Sequence, residues 1–272
     1  MEKVTTWQRF AEITIKTNDL DPMYSVIKGL NETRSRDWMG RFIIYFLCFY
    51  DAGGAAVAAE EWTDNYWEKL KAAGQDSTVK RGTERRHFRG KNALNACVNL
   101  EIKNKTPWQV LVDLYGETVG PTYTEFSQRI TQLYAGCQLG PYFIWKLYDI
   151  FNVCLGWPIT MSPEEAVKYM PDEPRKAAEN FWSNIQMAPG EVFRIALQEV
   201  TREISQFDHP VREGKCGLAE AETILCMMKG FFQTKSHTIG DDIDDKYTQL
   251  SGHPELTKLL PSTQVWSALY GR

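Results

Sequence analysis

Between residues 79 and 91 six cationic side chains, Lys80, Arg81, Arg85, Arg86, Arg89 and Lys91, stand against a single acid, Glu84. The whole chain has a formal net charge of -4, so the remainder is more acidic still. Guanidinium forks match the oxygens of a phosphate or pyrophosphate, and Gly82 and Gly90 would let the backbone approach such a ligand closely. Thr83 is placed to cap a helix whose first amides would face the same anion. His87 would serve as an acid for a leaving group or as one more donor. Phe88 sits where a merely solvating run would not need it, although a solvated helix face accounts for the charges alone.

Asp51 is the second residue with a chemical role to offer. It closes a long apolar stretch and directly precedes Ala52-Gly53-Gly54, which would place its carboxylate at the floor of a cleft as a general base. The competing reading is an N-cap for the helix that follows. A third group is the polar, acid-rich stretch 235–246, read as a loop. There His237 is a further candidate for proton transfer, and Asp241 and Asp242 are candidate ligands for a magnesium ion whose other ligands a pyrophosphate would supply. The register of a calcium loop is missing, and a solvated acidic loop explains the same residues.

The elements that must position these groups read as helices throughout, with no alternating strand of useful length. Helices are expected over residues 5–16, 22–30, 38–50, 65–73, 84–100, 108–115, 125–134, 172–186, 191–206 and 218–232, with a further one capped by Ser162-Pro163-Glu164-Glu165. Thr106-Pro107 is an N-cap followed by proline at the first helical position. The 38–50 helix is apolar almost all round, as a central buried helix should be. The small residues 55–59 let a neighbour pack close. Around Leu139-Gly140-Pro141 a helix stops, a glycine-bearing turn follows and a new helix starts at once. That layout suits a helix-hairpin-helix, whose exposed amides, here those of Leu139, Gly140 and Tyr142 around Pro141, hold a DNA backbone phosphate. A generic helical hairpin has the same outline. The chain is read as one helical domain, 1–272, with a possible hinge near 158–171.

Six scattered cysteines with no C-x-x-C pair indicate neither a zinc site nor a disulfide framework. The N-terminal residues lack the apolar region of a signal peptide, and the longest apolar run is too short to span a bilayer, so no membrane partner and a cytoplasmic location are expected. Net acidity argues against nonspecific nucleic-acid binding by the whole surface but leaves room for a local basic groove. The nine tryptophans are core by default, with one or two available to stack on a flipped base.

The hairpin followed by Gly156-Trp157-Pro158 resembles the helix-hairpin-helix DNA glycosylases. It departs from them where their chemistry lies: Tyr142 stands at the position of their lysine, residues 159–162 offer no aspartate, and their iron-sulfur cysteines are absent. With Tyr50-Asp51-Ala52-Gly53-Gly54 and the run from Arg81 to Gly90 added, the chain resembles the phage alpha-glutamyl/putrescinyl thymine pyrophosphorylase family, the amino acid:DNA transferases, over roughly residues 37–245. The resemblance implies an all-α, glycosylase-like helical bundle. It implies transfer of an amine or amino acid, such as glycine or putrescine, onto 5-pyrophosphoryloxymethyluracil in phage DNA, with release of pyrophosphate. A separate hydroxymethyluracil DNA kinase would supply that substrate, in the host cytoplasm. Asp51 would then take the amine's proton, the arginine island would hold the pyrophosphate, and the hairpin would hold DNA. A lesion-specific glycosylase and a noncatalytic helical DNA-binding module are the alternatives.

Overall fold

The computed structural model describes residues 4–81, 105–133, 140–183, 186–235 and 238–263. Among these residues fourteen α-helices and two π-helical segments form, and no strand does; two isolated bridges, Thr122 with Thr160 and Asp208 with Lys215, are the only extended pairings. In chain order the helices are α1 (Trp7–Lys16), α2 (Pro22–Thr33), α3 (Arg36–Phe49), α4 (Ala52–Glu61), α5 (Tyr66–Gln75), α6 (Pro107–Tyr115), α7 (Tyr123–Leu133) and α8 (Pro141–Asp149). Then follow π1 (Ile150–Leu155), α9 (Pro163–Tyr169), α10 (Asp172–Phe181), α11 (Pro189–Ile204), α12 (Leu218–Met228), π2 (Lys229–Thr234), α13 (Asp241–Gln249) and α14 (Pro254–Thr257). No helix among the described residues is long and apolar enough to cross a membrane. The 84–100 helix expected from sequence lies outside the described residues.

The punctuation is local. Ser35, Thr106 and Ser162 each accept an amide of the first turn, and at Thr106 and Ser162 the third helical residue, Gln109 or Glu165, returns the bond to the cap amide. The expected acid-rich loop over 235–246 is a correction: Gly240, at φ 93°, turns the chain and Asp241 opens α13. Thr238 N–H donates to Asp241 Oδ2 at 2.7 Å, while Asp242, Ile243 and Lys246 are buried. Charged residues at core positions concealed the helical period.

The chain divides into two compact units. One is Met1–Ser25, Met161–Tyr247 and Leu260–Arg272; the other is Val26–Thr160 and Thr248–Leu259. The division passes through α2 and α13, and another crossing, Thr160 to Met161, lies within the 158–171 stretch.

In the first unit α10, α11 and α12 pack on one another and α1 lies against α11 and α12. Its core is aromatic: Phe10 sits 4.8 Å from Phe231 and 5.6 Å from Phe232 between ring centroids, and Phe181 lies 5.5 Å from Phe232. Beside it a buried ionic knot closes the turn from Asp208 to Lys215. His209 Nδ1 accepts the amides of Val211 and Arg212, both at 3.0 Å, so Nε2 carries the proton and donates to Glu220 at 3.2 Å. Arg212 and the Gly217 amide complete the shell of Glu220. Burial opposes the Glu220 charge, but the His209 hydrogen bond, the charge of Arg212 and the Gly217 amide together hold its carboxyl below the ordinary 4.5. Burial, and after it the Glu220 charge, pushes the neighbouring Cys216 thiol up to about 12.

In the second unit α3 is the centre, buried from Trp38 to Phe49 except at Arg41, with α4, α5 and α6 packed on it. Trp38, Phe42, Phe46 and Tyr50 stack at four-residue intervals along one side. Gly40 is where α6 meets α3, since a Cβ there would stand 2.3 Å from Trp108 N. A second aromatic cluster, with Tyr123, Phe126, Trp145 and Phe151 at its heart, joins α7, α8 and π1.

Because its folded value lies below the unfolded one, Glu220 contributes stability that is complete above about pH 4.5 and lost as pH falls through the lower folded value. Glu220→Gln should therefore cost about 3 kcal/mol near neutral pH and flatten the acid limb of stability, as measured by urea unfolding midpoints from pH 7 down to pH 3.

Candidate functional site

The junction of α3 and α4 is made by two residues. Tyr50 ends α3 in the left-handed region, φ 54° and ψ 31°, with its N–H on Phe46 O at 2.6 Å. That conformation is costly for a side chain of this size, on the order of 1 kcal/mol. It reverses the chain in one step, so that Asp51 returns at once to extended backbone and caps α4. Asp51 Oδ2 accepts Gly54 N–H at 3.0 Å, and the carboxylate is buried at 5% exposure. The capping reading of Asp51 is thus realised, and the same bond aims a buried acid at the start of a helix.

Other groups crowd onto this first turn. Ala52 N–H donates to Gln249 Oε1 at 2.9 Å. A Cβ on Gly53 would lie 2.4 Å from Gln249 O, and one on Gly54 would lie 2.6 Å from both Asp51 Oδ2 and the Tyr45 hydroxyl oxygen. The two glycines are therefore required by the close approach of a carboxylate, a phenol and a main-chain carbonyl. Gln249 is a member of this site that sequence reading missed; it is distant in the chain, and no local pattern points to it.

Arg81, the first guanidinium of the island, meets the same corner. Its Cζ stands 5.8 Å from the centroid of Phe49, the last residue of α3. Its Nη2 donates to Gly74 O at 3.1 Å and Asp76 O at 3.2 Å, closing the C-terminus of α5, and its buried Nε has no hydrogen-bond partner among the described residues. Asp76 is itself held below the usual carboxylate range by the Thr78 hydroxyl and amide. The structure thus seats Arg81 beside the α3 terminus two residues before Asp51. Arg85, Arg86, His87, Arg89 and Lys91 lie outside the described residues, as does His237.

At the hairpin, Leu139 lies outside the described residues. Gly140 is the N-cap of α8, its carbonyl accepting the amides of Phe143 and Ile144, and Pro141 is the first helical residue. Pro141 is exposed and Tyr142 half-exposed. Among the described residues, nothing lies within 4 Å of where a Cβ on Gly140 would stand. One turn beyond Tyr142, Lys146 and Asp149 are buried together, Nζ to Oδ2 3.4 Å, with side-chain exposures of 6% and 4%. Taking two charges out of water is costly, and so is removing either partner of such a pair. The signal for this pair was legible: a lysine and an aspartate three residues apart interrupt an apolar run at positions that helical spacing assigns to the core.

The two acids proposed for magnesium do not share a face. Asp241 is exposed and holds the Thr238 amide, whereas Asp242 turns inward, as neighbours in a helix must diverge. Among the described residues no group of three His, Cys, Asp or Glu side chains is placed to hold a metal ion.

No protein-family model matches the chain. Two curated phage proteins do align with it. A putrescinyltransferase of Delftia phage PhiW-14 is 27% identical over 266 residues, covering 94% of this chain and 82% of its own length. A glycinyltransferase of Pseudomonas phage PaMx11 is 24% identical over 250 residues, covering 82% of each.

Asparagine also serves as an N-cap, so Asp51→Asn should leave the thermal midpoint close to wild type, whereas Asp51→Ala should cost about 1 kcal/mol. Gly54→Ala should cost about 2 kcal/mol through overpacking. Scanning calorimetry of the three variants would test this order, and equal losses in Asp51→Asn and Asp51→Ala would show that the cap is not what the carboxylate supplies.

Proposed function

We propose that this chain, homologous over most of its length to the phage putrescinyltransferase and glycinyltransferase, is a transferase that places an amine or amino acid on thymine in DNA. The observation that carries the reading is the reach of that similarity. It extends over 94% of the chain in one relative and 82% in the other, and the two relatives differ in the group they transfer. Putrescine and glycine share a primary amine. A common scaffold for both implies common handling of the DNA and of the leaving group, with the amine accommodated separately.

The reaction is a substitution at the exocyclic carbon of 5-pyrophosphoryloxymethyluracil. The amine nitrogen gives its lone pair to that carbon, the carbon–oxygen bond to pyrophosphate breaks with its electron pair, and one amine proton passes to a base. We assign Asp51 as that base. Its burial and its tether to Gly54 fix the carboxylate in one place, and fixed geometry is worth several kcal/mol of barrier where two reactants must meet. The departing pyrophosphate needs cations that gain strength as charge develops on the bridging oxygen. Arg81, with Arg85, Arg86, Arg89 and Lys91, is assigned that task, with His87 as a further donor.

The α7 and α8 helices are taken as the arms of a glycosylase-like hairpin, with Leu139, Gly140, Pro141 and Tyr142 against a backbone phosphate. Such a hold leaves the base free to leave the stack, which chemistry at its exocyclic carbon requires. The substrate demands a prior ATP-dependent step, so a hydroxymethyluracil DNA kinase is the expected functional partner.

The test is direct. The purified protein, 5-hydroxymethyluracil DNA, a hydroxymethyluracil kinase, ATP and a pool of amino acids and polyamines are incubated, and the DNA is digested and its nucleosides weighed. A nucleoside heavier by one amine less water is expected. An unchanged pool with kinase activity demonstrated would overturn the reading, and released free base would replace it with a glycosylase. Arg85→Ala and Arg86→Ala should each lower transfer by at least about 100-fold with thermal midpoints unchanged. Asp51→Asn should reduce turnover while DNA affinity stays at the wild-type value; a loss confined to affinity would remove the base assignment.

A further inference from the structure

Within the second unit a cleft of about 490 Å³ opens between α7 and the segment joining it to α6. Its walls include Tyr115, Thr118, Gln128, Arg129, Gln132 and Leu133, with Phe126 fully buried. Arg129 is seated with unusual closeness: a Cβ on Gly116, which has φ 94°, would lie 2.4 Å from both its Cζ and its Nε. Only glycine can occupy that backbone conformation without strain and leave room for the guanidinium. The joining segment is fixed as well. The Tyr115 hydroxyl donates to Pro158 O at 3.0 Å and accepts the Gly120 amide at 3.2 Å. Among the described residues no hydrogen bond or ion pair engages Arg129, a half-buried cation that lines the cleft.

We infer that this cleft holds the carboxylate of an amino-acid donor, with Arg129 as its anchor. The inference rests on the transferase reading above and names the donor class. A guanidinium meets a carboxylate through two parallel hydrogen bonds, and the Gln128 and Gln132 amides stand on the same side of α7 to extend the contact. Glu125, one turn before Arg129, also lines the cleft, its Oε2 held by the Thr122 amide and hydroxyl at 2.8 and 3.0 Å. A cation and an anion one turn apart suit a zwitterion.

Two other occupants fit less well. A diamine such as putrescine carries positive charge at both ends and would set one of them against Arg129. A nucleic-acid backbone is followed by rows of cations, whereas Arg129 is the sole Lys or Arg among the described lining residues and Glu125 would repel a phosphate.

Steady-state transfer onto pyrophosphorylated DNA would be measured with glycine, alanine, glutamate and putrescine as donors, for the wild type, Arg129→Ala, Arg129→Lys and Gly116→Ala. Wild-type transfer of an amino acid is expected. Arg129→Ala should raise the donor KM about 10- to 100-fold, with kcat and DNA affinity unchanged. Gly116→Ala should move KM the same way by displacing the guanidinium, and Arg129→Lys should fall between. Putrescine as the donor, or an amino-acid KM indifferent to Arg129→Ala, would overturn the inference and leave the transferase reading standing. Loss of DNA affinity in Arg129→Ala would instead make the cleft a phosphate contact. Were no amine attached by the wild type, the transferase reading itself would fall; calorimetric titration of glycine, alanine and glutamate without DNA would still decide the cleft. Binding lost in Arg129→Ala supports it, and absence of binding in the wild type refutes it.

Discussion

The second unit depends on how α3 stops. A helix buried on every side cannot leave its last carbonyls or its neighbour's first amides to water, and each such group left unpaired costs about 1–3 kcal/mol. The chain meets this demand within two residues. Tyr50 accepts a strained backbone to reverse direction, and Asp51 and Gln249 satisfy the amides of Gly54 and Ala52. Gly53, Gly54 and the alanines of α4 then let this polar corner close against α3. The Tyr-Asp-Ala-Gly-Gly motif is thus first a solution to a satisfaction problem. The role proposed for Asp51 would follow from that solution, because a carboxylate held by packing and by a backbone amide is positioned far better than one on a loop.

Burial elsewhere is ordinary in its means and selective in its exceptions. Aromatic clusters supply the cores of both units, in the second along α3 at four-residue spacing. Against that background the buried charges stand apart. The Glu220, His209 and Arg212 knot is closed on itself and ties a turn, with every contact made to its own neighbours, so its role is structural. Lys146 and Asp149 occupy an interior position in α8, where two apolar residues would pack at lower cost.

What could be read from sequence was what is decided locally. Thr106 and Ser162 announce their helices because a cap and its partner lie three residues apart. The apolar run around α3 announces burial because no polar face interrupts it. Both the Asp51 cap and its glycines were visible as a motif, yet Gln249, which explains Gly53, was not, since the two lie far apart in the sequence. Arg129 was passed over for the same reason: what distinguishes it is Gly116, a residue on another element. The acid-rich stretch failed differently. Asp242 and Lys246 are charged and buried at once, and a pattern that equates charge with exposure reads such a helix as a loop.

An acidic protein that works on DNA must gain its affinity from few contacts. At a net charge of -4 the long-range field repels the duplex, so binding cannot rest on the counterion release that rows of lysines provide. Under the proposed assignment a hairpin amide set would grip a phosphate without adding charge, and the arginine island would supply its cations to a departing pyrophosphate. Such an enzyme would be attracted less by DNA in general than by DNA already carrying the extra phosphates. On that assignment net acidity would act as a filter in favour of the activated base, because it would weaken binding to every unmodified site while the arginines would restore it at the modified one.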